Sequence, residues 1–269
     1  MKKPAKPKDR QHITALAKGL QVLQCFTTSN PEMGISELAR ATGMPQPTVW
    51  RICHTLQDLG FLVQTPGRTT LRPGIPVLSL GYAVLAGLPI ADMALPHMQT
   101  IASQYEGAVS LGAPDGLNMV YLQRCQGSAI ILADLRVGSR VPMATSATGW
   151  AYLAGLALDE REKTMRDIGK ALGRQWDDVK PRLMEALVQF EKNGFIVSKG
   201  SLHPRINSVA VPLVSADAST VLSISSGGIS DIFNASKLTK IGEELKALAH
   251  KLMPVLSSSV PSPAIRSRL

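Results

Sequence analysis

The sequence predicts an α+β protein of two domains. The first is a small N-terminal domain of helices and one β-hairpin, and the second is a larger C-terminal domain in which helices flank an antiparallel sheet. Three observations support this. The chain has 269 residues, more than a single domain usually holds. Its first 75 residues show helical apolar spacing and one hairpin signal. In the remainder, short strands separated by turn signals alternate with groups of helices.

A polar arm and an amphipathic helix come first. Residues 1–11 are rich in Lys and Pro and cannot bury enough apolar surface to become ordered, so we predict a disordered basic arm. From Thr14, four apolar residues recur at helical spacing, namely Leu16, Leu20, Leu23 and Phe26. This spacing predicts a first amphipathic helix, which the segment SNPEMG ends.

Two further helices follow at close spacing. In GISELARATG, Ile35, Leu38 and Ala39 form a short apolar face, and Gly43 ends the helix. The next helix opens at residues 44–47, where Pro is tolerated because its missing N–H would be unpaired in the first turn anyway. Its predicted inner face consists of Val49, Ile52, Cys53, Leu56 and Leu59. This is helix-turn-helix spacing, in which the second helix enters the DNA major groove.

A hairpin and an apolar helix follow the third helix. Gly60 ends that helix, and FLVQTPGRTTLRPG predicts two strands around a Pro66-Gly67 turn. Three helices and a hairpin make a winged helix-turn-helix, which we assign to residues 12–75. Residues 76–89 contain PVLSLGYAVLAGL, which is apolar on all sides and therefore needs a partner surface. We predict that this helix links the domains and packs in a dimer.

Residues 90–269 form the predicted second domain. A helix in DMALPHMQTIASQYEG precedes strands in AVSLGAP, NMVYLQRC and AIILADL, with turns at Asp115-Gly116 and Gln126-Gly127. Helices are predicted over 146–157, 159–170 and 176–193. Strands return in GFIVS, NSVAVPLV and TVLSISSG, before a last helix from about Lys237 to Leu256.

Charge and side-chain chemistry indicate duplex DNA as a partner. The chain carries a net charge of +9, of which +6 lies in residues 1–75, the excess expected for phosphate contact. The outer face of the third helix presents residues suited to reading bases or contacting phosphates, namely Gln46, Thr48, Arg51 and His54. Arg68 lies near the wing tip. The alternative is an ordinary helical hairpin with a solvated polar face.

Other classes of function find little support in the sequence. Aromatic residues make up 4% of the chain, which disfavours a stacking platform for single strands. Three cysteines and five histidines form no metal-binding spacing, and no cofactor motif is present. The sequence lacks an 18-residue apolar run and its N-terminus lacks a signal-peptide core, so we expect no membrane partner and a cytoplasmic location.

Several motifs in order resemble the IclR family of bacterial regulators. The resemblance begins with ALAKGLQVLQCF, ISELARATGMPQPTVWRICHTLQDLGFLV and LRPGIPVLSLG. It continues through VYLQRCQG, VGSRVPMATSATGWAYLAG, GFIVS, NSVAVPL and LSISSGG, and so spans about residues 12–256. It implies a GAF-like effector-binding domain and a homodimer or dimer of dimers, a homotetramer, acting on palindromic operators.

The same resemblance implies an effector site in the second domain. Carried over position by position, its residues are Ala147, Thr148, Ser198, Ser208, Ser223 and Ser225. Small hydroxyls near a helix N-terminus suit a carboxylate. The alternative is that the serines of LSIS face solvent on a strand.

Some positions depart from the family pattern. Ser198 stands where some members have an acid, Ser208 where some have Cys, and His203 and Arg205 where acidic residues are frequent. Effector identity therefore does not transfer. Arg124, Arg140 and Arg205 are candidate carboxylate partners because of their bidentate fork, or else ordinary surface arginines.

Three functions are compatible with these patterns. The leading hypothesis is a transcription regulator whose DNA affinity changes when an organic or aromatic acid binds the second domain. The competing one is a small-molecule enzyme with a DNA-binding appendage, although no nucleophile–base motif or metal cluster appears. The third is a structural nucleoid protein, which would bind DNA without site preference or ligand response.

Overall fold

The computed structural model describes residues 13–127 and 135–259, and side chains up to residue 256. The predicted basic arm lies outside the described residues, as does all but the last residue of the predicted strand AIILADL. The chain forms two compact units, Met1–Val84 and Leu85–Leu269.

The first unit contains the predicted helices and hairpin. Its elements are α1 (Thr14–Leu23), α2 (Ile35–Thr42), α3 (Gln46–Asp58), β1 (Leu62–Gln64) and β2 (Leu71–Pro73). Gly43 ends α2 with φ of 68°, a left-handed conformation that favours glycine. The backbone N–H of Gly34 donates to Glu37 Oε2 at 2.7 Å, so the first turn of α2 has a partner that the sequence did not reveal.

Buried apolar side chains from all of these elements form the core of the first unit. They are Val22, Leu38, Val49, Cys53, Leu62 and Leu71. One detail of the predicted inner face of α3 is wrong. Leu59 caps the end of α3 and is exposed, since the helix has ended before it can turn inward. Leu16 and Leu20 are also exposed within the single chain, and α1 ends before Phe26.

The apolar segment after the wing forms α4 (Ile75–Ala86), which ends three residues before the end of the predicted linker helix 76–89. None of its residues is buried. The side chains of Ile75, Leu78, Leu80, Tyr82 and Val84 are at least 59% exposed.

The second unit is an antiparallel sheet with helices on both faces. Its helices are α5 (Pro89–Tyr105), α6 (Ala147–Gly155), α7 (Leu158–Leu172), α8 (Trp176–Asn193) and α9 (Ala235–Ser259). Its strands are β3 (Ala108–Asp115), β4 (Asn118–Gln126), β5 (Arg140–Pro142), β6 (Ile196–Lys199), β7 (Ile206–Val214) and β8 (Val221–Ile229). The strand order is β5-β4-β3-β8-β7-β6, and every neighbouring pair is antiparallel. Among the strands of the described residues, only β5, three residues long, was not predicted from the sequence.

Each face of this sheet has its own core. Helices α5 and α9 pack on the face that carries Val109, Leu111, Val209, Val211 and Ile224. Helix α6 packs on β7 and β8 from the other side, and α8 packs on both α6 and β6; this face carries Met119, Tyr121 and Ala210. We call the face covered by α6 the α6 face, and it carries the predicted effector residues.

No single helix within the described ranges is long and apolar enough to cross a membrane. In the same part of the chain, the consecutive helices α4 and α5 reach the required length and composition when they are taken together.

Candidate nucleic-acid interface and ligand site

The outer face of α3 carries the predicted reading residues. Pro45 caps this helix and Pro47 lies in its first turn, so the chain enters α3 directly from the Gly43 turn. Gln46, Arg51 and His54 are exposed and Thr48 is half-buried. The Arg51 side chain has no ion pair or hydrogen bond to any residue within 13–127 or 135–259, so its guanidinium is available for a ligand.

Two contacts on α3 were not predicted. Trp50 is 57% exposed, and its ring centroid lies 5.4 Å from that of His54. The Nδ1 of His54 is 3.1 Å from Asp58 Oδ2, one turn further along. Gln46, Trp50, His54 and Asp58 are four residues apart and form one stripe along α3, a spacing visible in the sequence.

The wing holds Arg68 in an ion pair. Arg68 Nη1 lies 3.2 Å from Glu32 Oε2, and the Thr70 hydroxyl donates to the same oxygen at 3.3 Å. Gln64 Nε2 donates to the Arg68 carbonyl at 2.9 Å and braces the loop. Met33 forms an isolated antiparallel bridge with Leu71, the first residue of β2. Arg68 is 70% exposed, so phosphate can reach its guanidinium, but Glu32 partly neutralises it.

The serines of β8 lie on the α6 face as predicted. Ser223 pairs with Gly112, and Ser225 pairs with Ser110 on one side and Ala210 on the other. Ser223 and Ser225 are 0% and 6% exposed, whereas Leu222 and Ile224 belong to the opposite core. The alternative that these serines face solvent is therefore wrong.

The start of α6 closes over these serines. Ser146 caps the helix by accepting a hydrogen bond from the Gly149 N–H at 3.1 Å. Ala147 and Thr148 are buried, and the Thr148 hydroxyl donates to Ser225 Oγ at 2.9 Å. A Cβ on Gly112 would lie 2.8 Å from Thr148 Cγ2, so glycine is what lets this turn approach the sheet.

The other two predicted serines form a second group on the same face. Ser198 pairs with Ser208 across β6 and β7, and Ser208 pairs with Gly227 on β8. Since Gly227 is two residues beyond Ser225, this pair lies one pleat away from the Thr148–Ser225 contact. The sheet thus brings the predicted residues to one face, in two adjacent groups.

The three candidate arginines differ in their surroundings. Arg140 Nη2 lies 2.7 Å from Asp115 Oδ2 at the sheet edge, and Arg205 is exposed. Arg124 is half-buried on the α6 face, where its Nη1 donates to Ser110 Oγ at 2.7 Å. Burial lowers the pKa of Arg124 and raises that of the neighbouring Tyr121 phenol.

Two known family domains match this chain, and together they span most of both units. Residues 15–66 match the IclR helix-turn-helix domain, and residues 82–253 match the bacterial transcriptional regulator IclR C-terminal domain. The chain belongs to the IclR family. It is thus a transcriptional regulator with a DNA-binding helix-turn-helix domain and an effector-binding C-terminal domain, as the resemblance predicted.

Individual relatives agree with the IclR assignment over nearly the whole chain. The HTH-type transcriptional regulator TsaQ1/TsaQ2 of Comamonas testosteroni is 30% identical over 93% of this chain and 90% of its own length. The Pca regulon regulatory protein of Pseudomonas putida is 30% identical over 92% and 82%. The crystal structure of an IclR family transcriptional regulator from Brucella abortus is 39% identical, covers 97% of both chains and has a TM-score of 0.83.

A further IclR structure shares the fold. It is an IclR homologue from Microbacterium hydrocarbonoxydans complexed with 4-hydroxybenzoate, 20% identical over 91% of this chain and all of its own, with a TM-score of 0.72. As to metals, the described part of this chain holds no group of three His, Cys, Asp or Glu side chains able to bind one.

Proposed function

We propose that this regulator binds operator DNA through α3 and the wing, and that an organic or aromatic acid bound on the α6 face changes its DNA affinity. The base-reading residues in this proposal are Gln46, Thr48, Arg51 and His54, with Arg68 as a phosphate contact. The effector residues are Ala147, Thr148, Ser198, Ser208, Ser223 and Ser225.

One observation carries the effector assignment. Hydroxyl groups from α6, β6, β7 and β8 converge on one buried face, where the Thr148–Ser225 hydrogen bond ties the helix start to the sheet. The Ser223 hydroxyl on the same face is fully buried without a hydrogen-bond partner. Because an unpaired buried hydroxyl is costly, a ligand that bonds to it gains free energy.

The chemistry of relatives supports an acid as the effector. The Microbacterium hydrocarbonoxydans homologue that shares this fold is complexed with 4-hydroxybenzoate, an aromatic acid. Small hydroxyls beside a helix N-terminus are suited to a carboxylate, since the N–H groups and the helix dipole favour negative charge.

The regulator acts as a homodimer or a dimer of dimers in the cytoplasm, where bacterial DNA lies. The apolar side chains of α4 support self-association, because a monomeric soluble protein rarely exposes such a contiguous apolar surface. We assign residues 12–75 to DNA binding, 76–89 to the linker helix and 90–269 to the effector domain, with residues 1–11 as a basic arm. Catalysis is not part of the proposal, since the relatives named above are regulators.

Fluorescence anisotropy tests the proposal on operator DNA selected from a random pool by the full-length protein. We expect 4-hydroxybenzoate or benzoate to change the operator Kd by about fivefold or more, the usual scale of allosteric coupling. Ser223→Ala should weaken the response, whereas Ser236→Ala, at an exposed serine of α9, should not. Operator binding that no organic acid alters would contradict the proposal, and turnover of an acid by the protein would favour the enzyme alternative.

A further inference from the structure

The α6 face contains a half-buried cation without a carboxylate partner among the described residues. Arg124 forms no salt bridge to any residue within 13–127 or 135–259. Its Nη1 is held by Ser110 Oγ at 2.7 Å, while its Nε and Nη2 are buried and lack hydrogen-bond partners. A guanidinium that has lost water contacts without gaining a counter-ion is energetically expensive.

A β-bulge places this cation among the effector residues. Leu111 pairs with Gln123 and Gly112 with Tyr121, so Leu122 is an extra residue in β4. In a regular strand, residues 121 and 124 would point to opposite faces, because they are three apart. With the bulge, Tyr121 and Arg124 share the α6 face, and Arg124 Cζ lies 5.5 Å from the centroid of the Tyr121 ring.

Arg124 is separated from the proposed effector residues on β8 by a single residue across the sheet, Ser110. Ser110 is opposite Arg124 on one side and opposite Ser225 on the other, and Ser225 accepts from Thr148. Ser223, with its unpaired hydroxyl, is the next residue of β8 on this face. The unpaired guanidinium edge and the unpaired hydroxyl therefore belong to one continuous polar strip.

The unpaired edge of the Arg124 guanidinium determines which chemical group of a ligand it can bind. The N–H groups of Nε and Nη2 lie parallel along one edge of the planar guanidinium, where they match the two oxygens of a carboxylate. Segments β3, β4, β7, β8 and α6 contain a single Lys or Arg, namely Arg124, and a single acid, Asp115, which pairs with Arg140. One cation balances one negative charge, so a monocarboxylate fits better than a phosphate dianion.

We propose that Arg124 is the counter-ion of the effector, binding its carboxylate through Nε and Nη2 while Ser110 fixes the guanidinium through Nη1. This inference rests on the proposed function, since it assigns the acid group of the effector to a particular side chain. Ser223, Ser225 and Thr148 then supply hydroxyl groups beside the bound acid, and the ligand is a monoanion.

Matched acids and amides test this assignment by calorimetric titration of the full chain. The probes are acetate, benzoate and 4-hydroxybenzoate, each compared with its neutral amide, together with inorganic phosphate. The variants are Arg124→Gln, which removes the charge, and Arg124→Lys, which keeps the charge but not the fork. Arg140→Gln is the matched control, because this arginine of the same sheet already pairs with Asp115.

We expect the wild type to bind an acid at least about tenfold more tightly than its amide. Arg124→Gln should lose roughly 10- to 100-fold in affinity for the acid, as for hydrogen bonds to a charged group, and none for the amide. Arg124→Lys should recover only part of the loss, and Arg140→Gln should match the wild type. Thermal melts of each variant verify folding, and Arg124→Met, which removes the buried charge, should melt no lower than the wild type.

The outcomes separate this inference from the proposed function. Acid binding that Arg124→Gln leaves intact would overturn the role of Arg124 while the acid effector stands. Equal binding of acids and amides, or preferential binding of phosphate, would overturn the monocarboxylate site while effector binding stands. If the wild type binds none of the probes, both the acid class and this site are wrong.

Discussion

The hydrogen bond between Thr148 and Ser225 allows a quantitative prediction of how its loss changes the free energy of unfolding. Its two residues are 2% and 6% exposed, and the oxygens are 2.9 Å apart. A buried hydrogen bond contributes about 0.5–1.5 kcal/mol, while a buried hydroxyl left unpaired costs about 1–3 kcal/mol. Ser225→Ala and Thr148→Val should therefore each destabilise the protein by about 1–3 kcal/mol. The double variant should lose less than the sum, because neither hydroxyl remains unpaired, with a coupling of about 1 kcal/mol.

Urea denaturation followed by circular dichroism measures this double-mutant cycle. In a thermal melt, a loss of 1 kcal/mol in the free energy of unfolding would lower Tm by about 2–4 °C for a unit of this size. Thr239→Val serves as the control, since the Thr239 hydroxyl is on the exposed face of α9 and bonds only to a carbonyl of its own helix. Additive losses, with a coupling below about 0.3 kcal/mol, would refute the reasoning, because they would mean that the two hydroxyls do not interact in solution.

Further predictions concern DNA binding, assembly and pH. Arg51→Ala should reduce operator affinity by about 1–3 kcal/mol if the guanidinium reads a base; equal losses on operator and scrambled DNA in gel-shift titrations would make it a phosphate contact instead. Removing residues 1–10 should weaken binding to all sequences and flatten its dependence on salt, and an unchanged slope would count against the arm. Leu80→Glu should shift sedimentation toward the monomer, because it places a charge on the apolar surface of α4; an unchanged dimer would exclude this position from the interface. A hydrogen bond from the Ser215 side chain is the largest cause that lowers the pKa of Asp217 to about 2. The Asp217 carboxylate therefore contributes stability above the unfolded pKa near 3.9, and this contribution is lost as pH falls toward 2. Asp217→Asn should therefore flatten acid unfolding in this range, and superimposable curves would contradict the effect.

Much of the fold could be predicted because its signals are local. Gly43, Pro47 and the apolar spacing of α2 and α3 predict the helix-turn-helix, and the structure confirms both helices to within about two residues. The alternation in LSISS predicts that Ser223 and Ser225 share a face, which the strand register confirms. Leu59 was assigned to the core wrongly, since spacing alone does not reveal where a helix stops.

The family motifs, the two-domain organisation and the alternation of residues along each strand can be recognised in the amino-acid sequence, because each is a pattern of neighbours along the chain. Which of these residues come into contact depends on how distant segments pack. Thr148 and Ser225 are 77 positions apart and come together only because α6 packs over β8 at Gly112. The three candidate arginines look alike in the sequence, yet the extra residue Leu122 turns Arg124 onto the α6 face. Strand register and bulges arise from the pairing of distant segments, so no local pattern specifies them.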